Sequence, residues 1–122
     1  MKRNNYIAIF LAFTFIYMLT NNAWSWNGQL YVVADGEAVC EDASFVGDVF
    51  GQHNGVQQST KWEGYQTYTF TFNFLNSGTA YGWVWTENDS DPPSQCTGFH
   101  ENTWASPPVS ELIYVYPHVQ LN

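Results

Sequence analysis

The sequence predicts an all-β fold, an antiparallel β-sandwich or small barrel with one disulfide, preceded by a helical signal peptide. Three observations lead there. Tyr65 to Leu75 (YQTYTFTFNFL) alternates Tyr68, Phe70, Phe72 and Phe74 with Thr67, Thr69, Thr71 and Asn73, the period of two that a strand needs to bury one face. Past the first 25 residues, no apolar pattern of helical period runs for the length of a helix. Short β-rich runs are instead divided by turn signals such as Asp35-Gly36, Asn76-Ser77-Gly78 and Pro107-Pro108.

The N-terminus reads as a leader. Lys2 and Arg3 precede Tyr6 to Leu19 (YIAIFLAFTFIYML), an unbroken run of 14 apolar residues and threonine. Polar residues and a small-residue site, Ala23-Trp24-Ser25, follow. That order is the signature of a secretory signal peptide. Cleavage is expected between Ser25 and Trp26, leaving one secreted or periplasmic β domain over 26–122. The apolar run of 14 is short of the ~20 residues that span a bilayer, so no stable membrane insertion is expected after cleavage.

Export sets the chemistry of the two cysteines. Cys40 and Cys96 are expected to pair as a disulfide in an oxidising compartment. No C-x-x-C spacing points to redox or metal chemistry. Loss of the leader also removes Lys2 and Arg3. Lys61 then stands alone against eleven carboxylates, and one minus eleven gives a net charge of −10 with neutral histidines. Such a surface repels phosphate backbones and anionic headgroups, which excludes nucleic acid as a partner. Neutral glycans, cations and basic extracellular proteins remain.

The elements follow in order. Gln29–Ala34 is β-rich and ends at the Asp35-Gly36 turn signal, and Ala38–Cys40 and Phe45–Phe50 read as short strands. Gly51–Thr60 is polar and glycine-bearing, and reads as a loop. Tyr65–Leu75 and Thr79–Thr86 read as a β-hairpin joined by Asn76-Ser77-Gly78, with Gly78 left-handed after a type I turn. Glu87–Gln95 is an acidic, proline-containing loop, Phe99–Pro108 is irregular, and Leu112–Tyr116 is a last strand stopped by Pro117.

The hairpin supplies the candidate site. With a three-residue turn, Phe70, Phe72 and Phe74 share a face with Val84, Gly82 and Ala80, large against small, as a core requires. Tyr81, Trp83 and Trp85 then share the other face with Asn73, Thr71 and Thr69. Aromatic rings stack on the C–H faces of sugars while hydroxyl and amide neighbours bond the sugar hydroxyls, so these six residues form the candidate ligand-binding set. A two-residue turn would slip the register by one and make all the aromatics core.

Other chemistry is sparse. Glu87, Asp89 and Asp91 are calcium candidates by oxygen spacing, without the glycine of an EF-hand. His53, His100 and His118 have no ligand spacing, and no cofactor is implied. No nucleophile, zinc or triad motif is present, so a non-enzymatic protein is expected. Three readings stand: a lectin-like, carbohydrate-binding module, a small disulfide-stapled protein that binds another protein as inhibitor, toxin subunit or adhesion component, or a purely structural subunit whose exposed aromatic face is an oligomer interface. In the second, the segments Gly51–Thr60, Glu87–Gln95 and Phe99–Pro108 would make the contact. Oligomeric state is left open.

Overall fold

The computed structural model describes residues 25–122. Nine strands make up its regular structure: β1 Ser25–Gly36, β2 Val39–Val49, β3 Gln52–Gln58, β4 Lys61–Glu63, β5 Gln66–Leu75, β6 Gly78–Glu87, β7 Gln95–Trp104, β8 Leu112–Val115 and β9 His118–Leu121. Among the described residues there is no helix, and none long and apolar enough to cross a membrane. The expected leader, 1–25, lies outside the described residues except for Ser25, which begins β1.

The strands form one curled sheet in the order β3-β2-β6-β7-β9-β1-β5, with β4 added on β2 and β8 on β1. It curls into a nearly closed barrel. β9 joins the two walls, pairing antiparallel with β7 and parallel with β1. The seam lies between the end strands β3 and β5, where the Asn54 side-chain amide donates to the Thr71 carbonyl. An extra residue in β3, between the Val46–Val56 and Asp48–His53 pairs, places Asn54 and Gly55 in a bulge, with Gly55 at φ 134. Bulges bend a strand and re-aim its side chains. The sheet is not purely antiparallel, because β8 and β9 both run parallel to β1.

The expected hairpin is not there. β5 pairs along its whole length with β1, from Ser25–Leu75 to Ala34–Gln66, while β6 lies between β2 and β7. The Asn76-Ser77 connection therefore carries the chain from one wall to the other. The physical reason is backbone accounting: in the barrel β6 satisfies both of its edges, whereas a lone hairpin satisfies one. Gly78 is not left-handed; the positive-φ glycines are Gly51, Gly55 and Gly64. Its missing side chain serves another purpose, since a Cβ at Gly78 would fall inside the Phe50 ring.

Two further expectations change. The Gly51–Thr60 "loop" is mostly β3, and the irregular Phe99–Pro108 segment is mostly the second half of β7. β4 and β9 carried no local signal strong enough to be expected. All four segments are held by ladders to distant strands, so their order comes from partners and not from composition.

Face assignment survives the change of partners. Phe70, Phe72 and Phe74 are buried, as are Ala80 and Val84, because alternation belongs to each strand separately. The core adds Leu30, Val32, Phe45, Val49, Trp62, Val115 and Val119. Glycine makes room where walls meet: a Cβ at Gly47 would stand 2.6 Å from the Phe70 ring. The Cys40–Cys96 disulfide ties β2 to β7 with a Cα–Cα distance of 6.5 Å, and Trp62 lies opposite Cys40 in the β2–β4 ladder.

Candidate functional site

The outer face of β3-β2-β6-β7 gathers aromatic side chains by register. Val56, Val46, Trp83 and Phe99 stand side by side on the four strands. On one flank, His53, Asp48, Tyr81 and Glu101 form the next row; on the other, Gln58, Ser44, Trp85 and Thr97 do so. Tyr81, Trp83 and Phe99 make a continuous ring cluster, with centroids 5.8 Å apart for Tyr81–Trp83, 5.4 Å for Trp83–Phe99 and 6.0 Å for Tyr81–Phe99. Tyr81 and Trp83 are half-buried, and Trp85, Phe99 and Val56 are 42%, 52% and 52% exposed. The three aromatics singled out from sequence are therefore surface and not core.

Their expected polar companions are elsewhere. Thr69, Thr71 and Asn73 are exposed on β5, in the other wall, opposite Tyr31, Gln29 and Asn27 of β1. They do not join Tyr81, Trp83 and Trp85, because β5 and β6 do not pair. Phe99, Val46 and Val56 take those places. Phe99 was hidden from sequence reading inside a segment without clean alternation, and Val56 inside a polar one.

Carboxylates rim this face. A surface pocket of about 270 Å³ beside Trp85 is lined by Glu41, Asp42, Glu87 and Asp89 together with Ser44 and Gln58. A bulge builds it: between the Glu41–Glu87 and Ser44–Trp85 pairs, β2 carries one residue more than β6. Asp42 sits there at φ 45, in the left-handed region that Asp tolerates better than most residues. The buried Thr86 hydroxyl donates to the Glu41 carbonyl and pins the bulge. On the opposite flank, Asp48 Oδ1 is buried with no hydrogen-bond partner among the described residues. Lys61, opposite Glu41 on β4, is engaged by Glu63 at 2.6 Å. That contact holds the Lys61 ammonium above its usual pKa and the Glu63 carboxyl below its own.

The calcium candidates do not assemble. Glu87 and Asp89 line the Trp85 pocket and Asp91 does not. Among the described residues, no group of three or more His, Cys, Asp or Glu side chains is placed to hold a metal ion. The histidines lie apart: His118 bonds Asp35 at 3.0 Å, His100 meets the edge of Tyr116, and His53 is on β3. Asn88 closes the acidic loop, its side-chain oxygen accepting from Ser90 and Ser94.

Fold and face together define a small, disulfide-linked, barrel-like β domain with an acid-rimmed aromatic surface. Comparisons with protein families, curated proteins and solved structures return no match to this chain.

Proposed function

We propose that the chain is an exported, non-enzymatic binding module whose β3-β2-β6-β7 face docks a basic protein surface. The observation that carries this is the apolar row Val56-Val46-Trp83-Phe99, with Asp48 and Glu101 in the row on one side and the carboxylate-lined pocket beyond Trp85 on the other. Four strands at ~4.8 Å spacing and five residues at ~3.3 Å rise make a face of roughly 300 Å², polar flank rows included. The largest apolar patch of a typical monomer is often a functional surface, and here its centre is the exposed aromatic row. A central aromatic cluster with a polar rim is the anatomy of a protein interface. The rim selects the partner's charge. Arginine and lysine stack on tryptophan and pair with carboxylates, and the described chain carries one lysine against eleven acids. Phe99, Val46 and Val56 offer a sugar no hydrogen bonds, which favours protein over glycan on this face. The Cys40–Cys96 disulfide fits an oxidising compartment outside the cytosol.

The test is cross-linking of the purified domain to proteins exported by its host, followed by titration of the captured partner. Trp83→Ala and Phe99→Ala are expected to weaken binding by about 30-fold or more each, the scale of aromatic hot spots. Glu101→Lys is expected to slow association and flatten its salt dependence. A partner that binds Trp83→Ala as tightly as the parent, with near-UV circular dichroism unchanged, overturns the reading. N-terminal sequencing of exported material checks cleavage before Trp26.

A further inference from the structure

The opposite wall, β5-β1-β8, is built differently, and we propose that it carries a second site: a groove for a neutral saccharide. Tyr31 and Tyr114 face each other in parallel register, with ring centroids 5.1 Å apart and planes within 16°. Tyr116 continues the series at 6.0 Å and 6° from Tyr114. These rings form a wall. On the other side of Tyr31 the neighbour is Thr69, so the surface steps down from stacked tyrosines to the exposed threonines of β5, Thr67, Thr69 and Thr71. A pyranose lying on that threonine floor meets the outer face of Tyr31 with its C–H face and threonine hydroxyls with its own.

At one end the threonine floor meets a shallow, open recess. Beyond Tyr31, this recess of about 300 Å³ is lined by the polar Asn27, Gln29, Thr71, Ser110 and Glu111 and by the apolar Leu112 beside Gly28, at the lower end of the size range of small-molecule sites. Its edge is held in place. Glu111 sits at φ 54, its N–H donating to the Pro108 carbonyl and its carbonyl accepting from the Gln29 N–H, each at 3.1 Å. The Tyr31 hydroxyl donates to Gln29 Oε1 at 2.8 Å, orienting that amide so that its nitrogen is the end that donates. Amides, hydroxyls and one carboxylate line the recess together with the apolar surface of Leu112. Among the described residues no Lys or Arg stands on this wall, and its polar groups are mostly uncharged, which fits a hydroxyl-rich neutral ligand better than an anion. Thr69 and Thr71 thereby keep the role their chemistry suggests, beside Tyr31 and not beside Trp83.

The groove lies on a different wall from the protein-docking face, and one experiment distinguishes the two sites. The full secreted domain is run by affinity electrophoresis through gels containing, one at a time, a β-glucan, a galactomannan, a xylan or soluble amylose, with alginate as the anionic control. Retardation by at least one neutral polymer and not by alginate is expected. Tyr31→Ala, and Thr69→Arg as a groove-filling variant that removes no packing, are expected to raise the apparent Kd at least tenfold. Trp83→Ala should leave it unchanged. No retardation by any neutral polymer overturns the proposal, as does retardation lost in Trp83→Ala but kept in both groove variants.

Discussion

A methyl group added at Gly78 would overlap the Phe50 ring, so Gly78→Ala forces either the ring or the β6 backbone to move. Neither moves freely. Phe50 is half-buried, packs edge-on against Trp104 at 5.5 Å, and is itself held at φ 56. Gly78 is fixed in the β6–β7 ladder opposite Trp104. Overpacking of this kind costs about 1–3 kcal/mol. For a domain of roughly 100 residues, 2 kcal/mol lowers Tm by about 8–16 °C. The assay is thermal and urea unfolding of a double-mutant cycle with Phe50→Ala. If the ring is the obstacle, its removal relieves the clash, and the pair couples by about 1–2 kcal/mol. The alternative, a left-handed hairpin glycine, makes a different forecast: Asn is then the mildest replacement, and Phe50 is irrelevant. Additive single costs, or Gly78→Asn milder than Gly78→Ala, would refute the close-approach argument and with it the placement of β6.

Three other outcomes are expected. Cys40→Ser with Cys96→Ser opens a loop with a sequence separation of 56 and should cost about 4 kcal/mol by the chain-entropy relation, read as a lower urea midpoint. Trp85→Phe should lower the acrylamide Stern–Volmer slope and leave bluer emission, since Trp85 is 42% exposed while Trp62 is fully buried; an unchanged slope would place Trp85 in the core. For the Lys61–Glu63 pair the signs run opposite ways. The stabilisation is lost as pH falls through Glu63's lowered pKa, and again as pH rises through Lys61's raised one. Both groups are fully exposed and screened, so Lys61→Gln should leave Tm within error at 0.15 M salt across that range.

Much of this molecule is written in alternation. Phe70, Phe72 and Phe74 point inward and Tyr81, Trp83 and Trp85 outward because successive side chains of any strand take opposite sides, whatever strand lies alongside. The disulfide and the acidic balance were legible in the same way, from cysteine count and composition. Partnership was not. Asn76-Ser77-Gly78 suits a tight turn and a wall-to-wall crossing equally well, and nothing local tells β5 that its ten residues will lie on β1. The polar strand β3 and the second half of β7 exist because β2 and β6 offer them unsatisfied N–H and C=O groups. The sequence by itself determined which side chains face out. The tertiary structure alone decided their neighbours, setting Trp83 among Phe99, Val46 and carboxylates and Thr69 beside Tyr31. Backbone hydrogen bonding between distant strands sets those pairings, and no local pattern encodes them.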